Sequence, residues 1–184
     1  MRQIFLFLMI LLSICQTAGA QQAADAKDRV AQIRKIYNQA KQDIAKADQL
    51  GKQGKPANRT VVNSSYKLGT SPGMNVVTYY YNGVVDEYLD RYLYRPYFIT
   101  NNFDTPGNKY YQEFLFDNEE NLIFYYEKNE GQETRLYFDP DGEHDDGGLV
   151  YEINTSSRTM EPPFAIRVAG ELMHAFHLLM NREF

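Results

Sequence analysis

Tyr111-Gln112-Glu113-Phe114-Leu115-Phe116-Asp117, then Asn118-Glu119-Glu120-Asn121, then Leu122-Ile123-Phe124-Tyr125-Tyr126 is the stretch on which the fold turns. Two runs rich in aromatic and β-branched residues flank a short acidic interval. Such runs suit the pleated surface of a strand, and a polar interval between them suits a tight reversal. The arrangement recurs downstream. Glu133-Thr134-Arg135-Leu136-Tyr137-Phe138-Asp139 leads through a second acidic loop to Leu149-Val150-Tyr151-Glu152-Ile153. A looser copy lies upstream, where Met74 to Tyr81 runs into Asn82-Gly83 and then Val84. Asn-Gly between apolar runs predicts a type I′ hairpin, because both residues tolerate positive φ. Repeated strand, turn, strand units describe an antiparallel meander of about five to seven strands. They are too few and too irregular for a propeller or a solenoid.

Working outward, Thr60 to Leu68 reads as a weaker strand interrupted at Asn63 to Ser65, and Ser71-Pro72-Gly73 as a turn. Residues 84–95 carry both patterns. Val85, Tyr88, Leu89 and Tyr92 fit a helix, while the β-branched and aromatic content favours a strand. The strand reading is taken, which puts Pro96 at an edge or a bulge.

The sheet is bracketed by two helical patterns. Between Asp25 and Leu50, Val30, Ile33, Tyr37, Ala40, Ile44 and Ala47 fall at steps of three and four, drawing one narrow stripe. Asp25 or Asp28 can cap its start, Gly51 can close its end, and Gly51 to Pro56 reads as a linker. After Pro162-Pro163, residues Phe164, Val168, Ala169, Leu172, Ala175, Phe176, Leu179 and Met180 fill half of a helical wheel. The wider stripe predicts that the last helix is packed on the sheet and carries more stability than the first. The fold class is therefore α+β: an N-terminal amphipathic helix, an antiparallel β-meander and a C-terminal helix packed on it. In domain terms, 1–20 is a signal peptide and 21–184 one domain, divided into 21–56 helix and linker, 57–155 sheet and 162–184 helix.

The start of the chain predicts export. Arg2 precedes an apolar run from Ile4 to Leu12, and Ala18-Gly19-Ala20 supplies the small residues a signal peptidase needs, placing the cut before Gln21. The run is shorter than the roughly 20 residues of a membrane span. Cys15 suggests a lipid anchor, but Ile14 before it disfavours that alternative. Cys15 is the only cysteine, so the chain beyond residue 20 has no disulfide to rely on and must depend on its apolar core. That composition points to a bacterial periplasm or cell surface, or to secretion.

Charge excludes one class of partner. Residues 25–70 hold ten Lys or Arg against four acids, and residues 71–184 hold eight against twenty. An acidic body argues against nucleic acid, whose phosphates need clustered cations. The basic segment either meets an anionic surface or neutralises its own sheet.

Catalytic and metal signatures are sparse. Glu171, His174 and His177 share a helical face, but that face is the polar one, and the paired histidines of a zincin are missing. Asp139, Asp141 and Asp145 lie in an acid-rich loop reminiscent of a calcium loop, yet the glycine falls at the wrong place and no closing glutamate follows. They remain weak metal candidates, and no cofactor is implied. No nucleophile elbow is present. The compositional oddity is aromatic: 15 Tyr and 11 Phe without Trp. Tyrosines occupy both alternations of the strands, so that with one sheet face under the last helix the other is expected to expose tyrosines for a partner; the alternative is that it is laced by cross-strand aromatic pairs or covered by the first helix. Tyr79, Tyr81, Tyr111, Tyr125 and Tyr137 are the binding candidates, tyrosine bringing a large rigid face with a polar tip. The expectation is an extracytoplasmic binding or interaction module for a protein or glycan, without established catalysis. The alternative is a cell-envelope hydrolase with a carboxylate or His174-centred site.

Overall fold

The computed structural model describes residues 2–68, 71–86, 91–105, 108–140, 148–154 and 161–181; within these, the side chains of 2–23, 66–68, 71–72 and of positions 86, 91, 105, 108, 151 and 154 are not described. Helix α1 (Arg2–Lys52) comes first. Seven strands follow: β1 (Arg59–Leu68), β2 (Ser71–Asp86), β3 (Arg91–Thr105), β4 (Asn108–Phe116), β5 (Leu122–Asn129), β6 (Gln132–Phe138) and β7 (Leu149–Asn154). Helix α2 (Pro162–Met180) ends the order. The strands form one sheet in chain order, β1 to β7, every pair antiparallel. The architecture is the α+β meander read from the sequence.

Aromatic residues on both alternations leave this sheet two apolar faces, and each is covered by a helix. Ala165, Ala169, Met173 and Phe176 of α2 pack on Tyr79, Ile99, Phe114, Tyr125 and Leu136. Val30, Ile33, Ala40 and Ile44 of α1 pack on Tyr80, Phe98, Leu115, Phe124 and Tyr137. The expected exposed tyrosine face is thus roofed by α1. The first helix does more than its narrow stripe suggested, since the side chains it meets are large and fill the interface from the sheet side. Conversely, the wide stripe of α2 is not all core: Phe164 and Leu179 are exposed.

Asn82-Gly83 is not a turn. Strand β2 runs through it, pairing Asn82 with Arg95 and Gly83 with Tyr94. Gly83 is exposed there, and a Cβ would make only ordinary contacts, 3.7 Å from the Tyr92 ring and 3.9 Å from that of Tyr94. Residues 87–90, between β2 and β3, lie outside the described ones. Likewise Ser71, Pro72 and Gly73 belong to β2, and β1 is unbroken at Asn63 to Ser65. Pro96 does sit at a bulge, where the register shifts between Tyr80 and Tyr81. Its missing N–H is tolerated there. The two-residue turn with positive φ is at Glu130 (45°) and Gly131 (87°), joining β5 to β6.

Among the described residues no helix is long and apolar enough to cross a membrane. The apolar run, Cys15 and the cut site before Gln21 lie where side chains are not described.

Because both helices are core elements, truncating a buried residue of either should cost similar stability. Ile33 and Phe176 are each 0 % exposed. Ile33→Ala should cost about 2–5 kcal/mol and Phe176→Ala about 3–5 kcal/mol, by transfer and cavity terms. Leu179→Ala should stay within about 0.5 kcal/mol. Urea denaturation followed by circular dichroism checks this, and a near-neutral Ile33→Ala would show that α1 is not integral to the core.

Candidate functional site

The two sheet faces differ in how they treat a buried carboxylate. On the α1 face Glu113 is 2 % exposed. It accepts hydrogen bonds from the Tyr37 hydroxyl (2.6 Å), the Tyr111 hydroxyl (2.5 Å) and Lys41 Nζ (2.6 Å). Three donors, one of them charged, replace the water lost on burial. Two of the donors come from α1, so Glu113 clamps that helix to the sheet. Burial and the neighbouring Glu113 carboxylate push the Tyr37 and Tyr111 phenols well above their ordinary range.

Beside this clamp, α1 and strands β5 and β6 enclose a cleft of about 350 Å³ lined by Arg34, Tyr37, Asn38, Phe124, Tyr126, Arg135 and Tyr137. Rings make its walls. Tyr37 and Tyr137 each pack 4.9 Å from Phe124, centroid to centroid. Guanidiniums lie over two of the rings: Arg34 is 5.6 Å from the Tyr137 centroid and Arg135 is 5.3 Å from that of Tyr126. Arg34 Nε also donates to the Tyr137 hydroxyl, and Arg135 pairs with Glu133 at 2.6 Å. Burial, then a hydrogen bond to Glu133, pushes the Tyr126 phenol up to about 12. The cleft therefore offers neutral phenols and positive charge held flat on aromatic faces, an arrangement in which Arg keeps its donors in a fixed fork.

Of the five tyrosines expected to bind, Tyr137 lines this cleft and Tyr111 stands behind Tyr126 with ring centroids 6.3 Å apart. Tyr79, Tyr81 and Tyr125 belong to the opposite core, under α2. Tyr137 itself is 3 % exposed, and its hydroxyl accepts from Arg34 Nε. The cleft residues that sequence reasoning missed are Arg34, Tyr126 and Arg135. The signal available was a basic residue at alternate strand positions beside tyrosine.

The other candidates take structural roles. Asp139 Oδ1 pairs with Arg29 at 3.4 Å, and its backbone N–H donates to Gly148 O at 2.7 Å. Gly148 has φ +80°, and a Cβ there would meet Asp139 O at 2.1 Å, so this closure requires glycine. Asp141 and Asp145 lie outside the described residues, as does His144. Asp117 organises the β4–β5 turn, its Oδ1 accepting from the backbone N–H groups of Glu119 and Asn121. His174 and Glu171 are exposed. The histidine that finds a carboxylate is His177, whose Nε2 lies 2.9 Å from Glu120 Oε2 and whose Nδ1 lies 2.7 Å from Asn181 Nδ2. Glu120 reaches it from a left-handed backbone, φ 68°. Asn181 is in turn held by Tyr94 N and O. With both ring nitrogens engaged, the group latches the β4–β5 turn to the end of α2. Two clefts, of about 450 and 520 Å³, share Glu120 and His177. A wider cleft, about 780 Å³ between α1 and that turn, mixes apolar groups such as Ile36, Tyr97 and Leu115 with Lys35, Asp43 and Asp117. Among the described residues no group of three or more His, Cys, Asp or Glu could hold a metal ion.

Comparison of the chain with family models, with curated proteins and with solved structures finds no match.

The phenols make stability pH-dependent. Tyr80, Tyr97 and Tyr126 are pushed up to about 12, in each case chiefly by burial. An unfolded tyrosine ionises near 10, so the native state holds these protons more tightly. Their contribution is complete below pH 10 and is lost as pH rises through about 12. Absorbance at 295 nm should show a phenol population titrating together with loss of circular dichroism in that window. Full titration near pH 10 with the fold intact would contradict this.

Proposed function

We propose that the protein is an exported, extracytoplasmic binding module whose ligand enters the cleft between α1 and strands β5 and β6. The observation that carries the reading is the pair of guanidiniums, Arg34 and Arg135, stacked on Tyr137 and Tyr126 at a cleft of about 350 Å³. Small-ligand sites commonly run from about 300 Å³ upward, with aromatic walls and a few polar groups fixing orientation. The chemistry selects an occupant with negative charge and a face to stack, as on an acidic sugar or an acidic peptide side chain of an extracytoplasmic glycan or protein. The acidic body deters nucleic acid, and the basic excess of the first segment is partly consumed by its own sheet, through Lys41 to Glu113 and Arg29 to Asp139.

Export rests on the order of Arg2, the apolar run and Ala18-Gly19-Ala20. Mass spectrometry of secreted or periplasmic material should find a chain starting at Gln21. A diacylated chain starting at Cys15 would overturn that.

Binding is tested on an array of acidic and neutral oligosaccharides and peptides, with any hit quantified by calorimetry. An acidic hit should lose at least tenfold in affinity with Arg135→Ala or Tyr126→Ala, and little with Tyr92→Ala, an exposed tyrosine elsewhere on the sheet. A hit indifferent to Arg34→Ala and Arg135→Ala would place recognition outside this cleft.

A further inference from the structure

The α2 face carries a second and different feature. Along β2 to β6, the row Tyr79, Ile99, Phe114, Tyr125 and Leu136 is the part of that face on which α2 packs. One step further along each strand on the same face, the row becomes Val77, Asn101, Gln112, Glu127 and Thr134. The next row is Asn75, Phe103, Tyr110, Asn129 and Gln132. The core has become polar within one residue pair, with Gln112 8 %, Glu127 2 % and Thr134 3 % exposed.

Hydrogen-bond direction in this row is set by Glu127, which can only accept when ionised. Its Oε2 receives the Tyr125 hydroxyl (2.5 Å) and Gln112 Nε2 (2.9 Å). Gln112 must therefore turn its Oε1 the other way, where it receives Asn101 Nδ2 at 2.9 Å. Asn101 is left presenting Oδ1. Every donor in the chain points towards the carboxylate, and the chain is short of donors at both ends. Glu127 Oε1 and Asn101 Oδ1 are buried without a partner, as are Asn75 Oδ1 and Asn129 Oδ1 in the next row. Four acceptors on one face lack donors, and an unpaired buried acceptor forfeits the hydrogen bonds that water would have given it. Glu113, a few residues away on the other face, has no such deficit.

We infer that this polar row is a binding site for a small organic cation, a primary ammonium on an apolar body, with Glu127 as its counter-ion. The charge matches, one carboxylate to one ammonium. The ammonium brings three donors and no acceptor, the complement of what the row lacks. An apolar body has a wall to meet, since the half-buried Phe103 and Tyr110 rings pack edge to face at 6.2 Å in the neighbouring row. Ring faces also attract the cation itself. A calcium ion fits less well: one carboxylate is little charge for it, and Gln112 fills the place between Glu127 and Asn101. This site is independent of the α1 cleft, on the opposite face and of opposite charge preference.

The test uses the full chain from residue 21 with benzylammonium chloride as probe, benzyl alcohol as its neutral isostere and calcium chloride as the metal arm, read by calorimetry and thermal melting. Benzylammonium should bind and raise Tm, and the alcohol should bind at least tenfold more weakly. Glu127→Gln should abolish the benzylammonium response while leaving the free protein as stable as before or more so, because a buried orphan charge is removed. Asn129→Asp adds a second negative charge in the neighbouring row without removing a hydrogen bond of the chain and should tighten binding about tenfold, which keeps the proposal open to test if Glu127→Gln fails to fold. Equal binding of amine and alcohol, a benzylammonium response unchanged in both variants, or a Tm response to calcium alone would each overturn it.

Discussion

The constraint from which the rest follows is that this sheet is apolar on both faces. Strand residues alternate sides, so runs such as Tyr79-Tyr80-Tyr81 and Phe124-Tyr125-Tyr126 send large rings both ways. Neither face can be left to water across seven strands, and two helices are needed where a meander with one polar face would need one. Glu113 shows how the second helix is fixed. An apolar stripe as thin as Val30, Ile33, Ala40 and Ile44 gives area but little direction, whereas a buried carboxylate that must receive Tyr37 and Lys41 admits one docking of α1. Tyrosine suits such a core because it supplies ring area and a donor for the acids that lie among the rings.

The same two-sidedness separates the polar business of the protein. On the α1 face the carboxylate is saturated, and the neighbouring cleft carries Arg34 and an Arg135 paired with Glu133. On the α2 face the carboxylate is half satisfied, and the surplus is in acceptors. Gln112 and Glu113 are consecutive residues, as are Tyr126 and Glu127, so a single pair of strands, β4 and β5, feeds both environments. Alternation that gives the sheet its structural problem also gives it two chemically opposed surfaces within a few ångströms of one another.

How much of this was legible depends on whether the signal was local. The paired runs at 111–126 and 133–153 announced their strands because composition and turn lie within a few residues, and Pro96 announced its bulge through its missing N–H. Asn82-Gly83 misled because a turn dipeptide can also be carried through a strand, and here the pairing of Asn82 with Arg95 and of Gly83 with Tyr94, which no local pattern shows, keeps β2 running. The burial of the two helices was only partly legible for a similar reason. A stripe's width counts what a helix brings, while burial depends also on what it meets, so Ile33 is fully covered and Leu179 is not. The cleft was less legible still, because Arg34, Tyr126 and Arg135 are joined by packing over about a hundred residues of chain.

Burial also decides which tyrosines remain available for recognition. A ring packed in a core, like Tyr125 under α2, spends its face on neighbours, and its hydroxyl serves an internal carboxylate. A ring at the seam between helix and sheet, like Tyr126, keeps an edge outward and holds a guanidinium on its face. Abundance of tyrosine therefore says little about where a ligand goes; position relative to the covering helix says more. The seam exists only because α1 is narrow. A helix with a stripe as wide as that of α2 would have closed over strands β5 and β6, and the guanidiniums of Arg34 and Arg135 would then have had no room to flank a cleft. The narrowness of the first helix's apolar stripe is what leaves the cleft open.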